Sequence, residues 1–210
     1  MPSPSYRPRP HHARERGFTL AEMLAVIAMI SILAVTASPV FIGMMRDRRV
    51  NRAAFQIVDM VRTARMRAVG RNIPVQLTWN ETGGNKNLAS GLLTMSEPVV
   101  GLFANARSCI GTYLPGAPNV VIQEVARFDV GNGLYQHALV QFADNSGVQR
   151  PQVSLCFSGR GATYMTVGGV AARLAGPVTF NVTNYNSATG ITGLRRRVFI
   201  PPNGAARLAL

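Results

Sequence analysis

The chain has 210 residues, 47% apolar and 15% charged, which suits one folded domain of moderate size and excludes an intrinsically disordered chain. Its formal net charge is +13, and Lys86 is the only lysine among its 22 basic residues. This arginine excess suits a polyanionic partner, such as nucleic acid or anionic lipid, or else reflects an arginine-rich genome.

The first 45 residues divide into a polar segment and an apolar one. Residues 1–17 are rich in Pro, Arg and His and show no hydrophobic periodicity, which is typical of a leader peptide. Residues 18–45 are almost wholly apolar, with Glu22 their only charge. A run of this length predicts a membrane-spanning helix, which needs about 20 residues. Pro39 is expected to bend or loosen that helix.

The pattern becomes amphipathic over residues 46–73. Apolar residues recur at spacings of three and four, and arginines stand between them, which predicts a continuation of the same helix. The helix would be roughly 80 Å long at 1.5 Å per residue and would end at Pro74. The apolar positions are Val50, Ala53, Ala54, Ile57, Val58, Val61, Ala64 and Ala68.

Residues 74–210 are predicted to form a β-rich head. Short apolar runs alternate with Gly-rich turns, and the gaps suit hairpins, so the fold class is α+β: a long N-terminal helix packed on an antiparallel sheet. Residues 96–118 look like a loop. The predicted strands are 75–79, 92–95, 120–128, 138–142, 153–157, 163–167, 178–182, 196–200 and 206–210.

The junction between leader and helix reads Arg-Gly-Phe-Thr-Leu-Ala-Glu-Met over residues 16–23. It closely resembles the prepilin processing site of type IV pilins and type II secretion pseudopilins. The resemblance implies cleavage by the prepilin peptidase between Gly17 and Phe18, followed by N-methylation of Phe18. Pro39, the twenty-second residue after the cut, stands where many of these pilins carry a helix-loosening proline.

Glu22 needs a physical reason, because a carboxylate in a bilayer helix costs roughly 2.5 to 3.5 kcal/mol on insertion scales. The resemblance supplies one, since in a pilin this glutamate meets the N-terminal amine of a neighbouring subunit and sets the register of assembly. Two alternatives are an ordinary signal peptide cut before Ser38 and an uncut anchor that keeps Met1. The basic leader and the cysteines favour an inner-membrane precursor with its N-terminus inside and its head outside.

The later part of the head resembles the FimT/GspH-like group of minor pilins and pseudopilins. The segments that carry this resemblance are 155–161, Leu-Cys-Phe-Ser-Gly-Arg-Gly, and the tail over residues 195–210. Some members of that group bind DNA through a Gly-Arg-x-Arg motif. Here the corresponding residues 204–207 read Gly-Ala-Ala-Arg, so the first arginine is missing. The candidate DNA contacts are Arg195, Arg196, Arg197 and Arg207, and the alternative is a solvated strand end.

Cys109 and Cys156 are too far apart in sequence to form a CxxC pair. They predict a disulfide if the head leaves the cytoplasm, and two buried thiols otherwise.

Catalytic motifs such as GxSxG, HExxH and a P-loop are missing from the sequence, so an enzyme, a cofactor and a metal site are not expected. The predicted function is that of a minor pilin or pseudopilin in a type IV pilus or a type II secretion pseudopilus. Its expected partners are other pilins, the prepilin peptidase, the inner-membrane assembly platform and the membrane. The rival function is DNA binding in DNA uptake.

Overall fold

The computed structural model describes residues 18–82, 90–98, 109, 120–129, 133–186 and 190–209. The chain divides into two compact units, Met1–Phe41 and Ile42–Leu210. One helix, α1, runs over Leu20–Arg71 and contributes to both units. It begins two residues later than the sequence predicted, and it continues through Pro39 without a break.

The part of α1 in the first unit is apolar and exposed, whereas the part in the second unit buries one face. All eight apolar positions predicted for the amphipathic segment are buried, and Met60 joins them. Their spacing of three and four residues brings them onto one side of a helix with 3.6 residues per turn, so that side can form the floor of a core.

The head contains ten strands in its described part, and all their pairings are antiparallel, as predicted. The strands are β1 Val75–Thr82, β2 Ser90–Pro98, β3 Val120–Phe128, β4 Ala138–Ala143, β5 Gln152–Phe157, β6 Thr163–Val167, β7 Val170–Arg173, β8 Val178–Asn186, β9 Gly190–Ile200 and β10 Arg207–Ala209.

These strands form two sheets, whereas the sequence predicted one. The first has the order β3-β2-β1-β5-β6-β7, and the second has the order β10-β9-β8-β4. The two sheets and the buried face of α1 contribute to one hydrophobic core. The fold is therefore α+β, with a long N-terminal helix packed against antiparallel sheet.

Aromatic side chains fill the centre of this core. The indole ring of Trp79 on β1 lies 5.8 Å, centroid to centroid, from the ring of Phe180 on β8, in an edge-on arrangement. The ring of Phe128 on β3 lies 6.1 Å from Trp79. Trp79 thus connects β1 of the six-stranded sheet with β8 of the four-stranded sheet. Aromatic pairs of this kind add about 1 kcal/mol each beyond the area they bury.

The prediction of a loop over residues 96–118 is wrong at its start, because residues 96–98 belong to β2. A register shift between Met95 and Ser96 marks an irregularity in the pairing with β3. An irregularity of this kind can redirect side chains. Of the rest of the predicted loop, only Cys109 is among the described residues.

A disulfide joins Cys109 to Cys156 on β5, with their Cα atoms 5.8 Å apart. Both cysteines are almost fully buried. The bond therefore attaches the segment between β2 and β3 to a strand in the interior of the six-stranded sheet.

Candidate processing and assembly site

The helix that carries Glu22 begins with a side-chain cap. Thr19 precedes α1, and its Oγ1 accepts a hydrogen bond of 3.2 Å from the backbone N–H of Glu22. The carbonyl oxygen of Thr19 accepts the next one, from the N–H of Met23, also at 3.2 Å. A threonine three residues before a glutamate is the pattern of a capping box, which satisfies N–H groups that the first helical turn leaves unpaired.

Sequence reasoning overlooked Thr19, although the Thr-x-x-Glu pattern was visible. The cap fixes where the helix starts: Phe18 lies just outside it, and Glu22 lies in its first turn. A carboxylate in the first turn is favoured by the partial positive charge of the helix N-terminus. Glu22 therefore has a local structural role beside the intersubunit role that the resemblance implies.

Glu22 stands at the head of a long surface of exposed apolar side chains. Phe18 is 73% exposed and Leu20 is 78% exposed, and large apolar residues as far as Met45 remain at least 46% exposed. Helix α1 is long and apolar enough to cross a membrane, and none of its most apolar 18-residue stretch is buried. Such a surface needs a partner, either lipid or the helices of other subunits.

The predicted site residues at this end of the chain fall partly outside the described part. Gly17 lies outside it, so the structure gives no geometry for the Gly17–Phe18 bond. Phe18, Glu22 and Pro39 are described, and Pro39 lies within α1, well after the first turn that holds Glu22.

The arginine run on β9 divides between the two faces of its sheet. Arg195 and Arg197 are exposed, whereas Arg196 is half-buried and donates from Nε to Oδ1 of Asn51 on α1 at 2.8 Å. Alternate residues of a strand point to opposite faces, so Arg196 belongs with the core-facing Val198. Arg196 ties β9 to the helix, and the four predicted DNA contacts do not form one surface.

Arg207 shares the outward face with two members of that run. It is exposed and pairs across β10 and β9 with Phe199, which lies two residues from Arg197. Arg195, Arg197 and Arg207 therefore lie on one side of the four-stranded sheet, which we call the outer arginine face. None of the three makes an ion pair with a carboxylate among the described residues.

The comparisons with known proteins identify one segment. Residues 12–38 match the family model of the prokaryotic N-terminal methylation motif. No curated protein matches the chain, and no solved structure does. The matched residues include the leader junction, the cap at Thr19, Glu22 and the first turns of the exposed apolar helix.

This motif implies processing by the prepilin peptidase and assembly with other pilins, which are structural proteins and not enzymes. Together with a long N-terminal helix packed against antiparallel sheet, it supports a relation to the superfamily of type IV pilins and pseudopilins.

Proposed function

We propose that this protein is a minor subunit of a type IV pilus or of a type II secretion pseudopilus. The prepilin peptidase cuts between Gly17 and Phe18, and Phe18 is then N-methylated. The single observation that carries the proposal is Glu22, the lone charge of the exposed apolar residues 18–45 and a residue of the first turn of α1. Before assembly the helix anchors the chain in the inner membrane with the head outside.

Assembly would use the free amine that cleavage creates at Phe18. A carboxylate and an amine that meet in an apolar surrounding attract strongly, and each offsets the burial of the other. Pairing between subunits would fix how far one helix slides along the next. The exposed apolar side chains between Leu20 and Met45 would then exchange lipid for the helices of neighbouring subunits.

The first test is the N-terminal residue of the mature protein, determined by mass spectrometry in cells with and without the prepilin peptidase. N-methylated Phe18 that disappears without the peptidase is the expected result. A start at Ser38 or an intact Met1 would contradict the processing step.

The second test separates the charge of Glu22 from its place in the cap. Glu22→Gln keeps the backbone N–H that bonds to Thr19 Oγ1 and nearly keeps the side-chain volume, but it removes the negative charge. The variant should be cleaved normally and be lost from sheared filaments or cross-linked pseudopili. Thr19→Ala, which removes the cap and keeps the charge, is the matched control. Normal assembly of Glu22→Gln would refute the register role.

DNA binding is a second candidate function, and the outer arginine face favours it. Three exposed arginines there lack a carboxylate partner among the described residues and are free to contact phosphates. If DNA binds there, replacing Arg195, Arg197 and Arg207 by Ala should make DNA binding less dependent on salt. The slope of log K against log salt concentration should fall in magnitude by about one for each arginine that touched a phosphate. Arg160→Ala, in the exposed turn after β5, is the control of equal chemistry. Equal retention of all variants at low salt would refute the idea.

A further inference from the structure

A basic cleft lies within the second unit, where the amphipathic part of α1 begins. Its volume is about 400 Å³, and two segments line it: the helix just after the apolar run, and the turn that precedes β4. The lining residues are Met45, Arg48, Arg49, Arg52, Gly133 and Leu134.

The three arginines of this cleft have no carboxylate within ion-pair distance in the described part of the chain. Arg48 and Arg52 make no ion pair there, and Arg49 donates from Nη1 to the neutral amide oxygen of Gln136 at 2.9 Å. Over residues 46–52 the sequence has four arginines and one carboxylate, Asp47. Guanidinium groups arranged in this way suit a phosphate, which can accept several charge-assisted hydrogen bonds at once.

The rest of the lining is apolar and exposed. Met45 on the helix and Leu134 in the turn are each 58% exposed, although both side chains are large and hydrophobic. A free inorganic anion gains nothing from such neighbours. A molecule with a phosphate and an acyl chain matches both halves of the cleft.

In the membrane-inserted precursor proposed above, the order of residues along the chain would bring this cleft close to a membrane surface. The uncharged stretch 23–45 has 23 residues, or about 34 Å of helix, close to the roughly 30 Å hydrocarbon thickness of a bilayer. With Glu22 at one border of that layer, the arginines of residues 46–52 follow directly at the other. Arginine side chains suit this depth because their guanidinium groups can reach lipid headgroups while their stems stay among apolar groups.

We propose that this cleft binds the headgroup of an anionic phospholipid in the precursor, before assembly. Arg48, Arg49 and Arg52 hold the phosphate, and Met45 and Leu134 contact the start of the acyl chains. The lipid would hold the head against the bilayer surface, and it would be released when the helix leaves the membrane. This inference rests on the membrane-inserted precursor of the proposed function, and it adds a lipid ligand to it.

The test uses the full chain with its leader, purified in detergent and mixed with phosphatidylglycerol and phosphatidylcholine in equal amounts. Native mass spectrometry counts the lipids that stay bound. Wild type should prefer phosphatidylglycerol, and Arg48→Gln with Arg52→Gln should lower that preference by about fivefold per arginine, or about 25-fold for the pair. The control, Arg160→Gln with Arg173→Gln, removes the same charge from exposed positions elsewhere in the head and should leave the preference unchanged.

Two further measurements identify the source of the phosphate. Leu134→Ser should weaken retention of phosphatidylglycerol, because it removes an apolar contact and leaves the three arginines in place. Millimolar inorganic phosphate should not displace the lipid. Displacement by phosphate, or unaltered retention in Leu134→Ser, would overturn the lipid assignment in favour of a simple anion site.

A last readout separates this inference from the proposed function. Alkaline extraction of cell membranes reports whether the chain is inserted, independently of any lipid preference. Inserted protein that retains both lipids equally would overturn the lipid site and leave the assembly proposal standing. Protein that is extracted as a soluble chain would overturn both.

Discussion

Asp144 holds the turn that follows β4 through hydrogen bonds to both carboxylate oxygens. Oδ1 accepts the backbone N–H groups of Ser146 and Val148, and Oδ2 accepts Nε of Arg150, each at 2.9 Å. Burial alone would raise the pKa of this carboxyl group, but the bonds from Arg150, Val148 and Ser146 outweigh burial and leave the pKa below its ordinary value of 3.8. The charged form is therefore favoured in the folded protein.

Because the pKa of Asp144 is lowered on folding, the free energy of unfolding depends on pH and falls in acid. A group whose pKa falls on folding stabilises the protein above its unfolded pKa, and the contribution disappears as the pH falls through the folded pKa. Asp144→Asn should cost about 1 to 2 kcal/mol at pH 7, since it loses the charge-assisted bond to Arg150 and keeps an acceptor for the turn. Urea denaturation at pH 7 and pH 3 checks this. The difference between the variant and wild type should be smaller at pH 3 than at pH 7, and a difference that does not change with pH would contradict the argument.

Gly91 on β2 leaves space for a large neighbour. A Cβ atom at this position would overlap the indole ring of Trp79 on the adjacent strand. Trp79 is 1% exposed and lies among other core aromatics, so it cannot move aside freely. Gly91→Ala should destabilise the head by about 1 to 3 kcal/mol, the usual cost of overpacking a core.

The control for Gly91→Ala is the same substitution in the helix. Gly70 has no atom within 4 Å of an added Cβ and lies inside α1. Gly70→Ala should stabilise the protein by about 0.5 to 1 kcal/mol, because alanine has the higher helix propensity. Thermal denaturation of both variants should give shifts of opposite sign. A neutral Gly91→Ala would show that Trp79 repacks without cost.

Helix α1 is fastened near its C-terminus to the end of β2 by one carboxylate. Glu97 is buried, and its Oε1 and Oε2 meet Nη1 of Arg67 at 3.2 Å and Nη1 of Arg71 at 2.8 Å. The two arginine side chains are 35% and 59% exposed, so water still reaches them. The pairing joins elements whose apolar faces already belong to one core.

Glu97→Gln tests how much the charge of this junction contributes. The loss should be about 1 to 2 kcal/mol and not the 3 to 5 kcal/mol of a fully buried pair, because the arginines left behind are solvated. Asp59→Asn, on the exposed side of α1, is the control and should change stability by less than about 0.5 kcal/mol. Urea unfolding at low and high salt measures both variants. A loss equal to that of the control would mean that core packing alone holds the helix end.

Periodicity predicted the elements well, but not the way in which they combine. The buried face of α1 followed from apolar spacing, and most strands followed from short β-branched and aromatic runs. Strand β7 was missed because Val-Ala-Ala-Arg has only one β-branched residue, although Gly168 and Gly169 before it signal a hairpin turn. The division into two sheets was missed because alternation shows which face of a strand is buried and not which strand it pairs with.

The same reasoning explains the outcome for the candidate sites. Adjacency in sequence grouped Arg195, Arg196 and Arg197, yet the alternation of a strand turns Arg196 towards Asn51. That separation could have been predicted, since Val198 and Ile200 mark the core side of β9. The cleft beside Leu134 could not, because it joins residues that lie far apart in the chain.

The disulfide closes a loop over a sequence separation of 47 residues in the head. A covalent loop of this size lowers the conformational entropy of the unfolded chain. On the loop-entropy model it should therefore stabilise the folded head by about 4 kcal/mol. Replacing Cys109 and Cys156 by Ala should lower the free energy of unfolding by about that amount, as measured by denaturant titration.

Reductant supplies the control for this prediction. It should destabilise wild type and leave the double variant unchanged. Equal stability of the oxidised wild type and the double variant would contradict a structural role for the bond.

The antiparallel head has a consequence for the time course of biosynthesis. The buried face of α1 ends at Ala68, yet Val198 and Ile200 of β9, which belong to the same core, come about 130 residues later. At 5 to 20 residues per second, a ribosome needs on the order of ten seconds to make that stretch. Throughout this interval the strands made earlier can cover only part of the helix face, because β9 is still missing. The core therefore cannot be completed until translation of the chain is nearly finished.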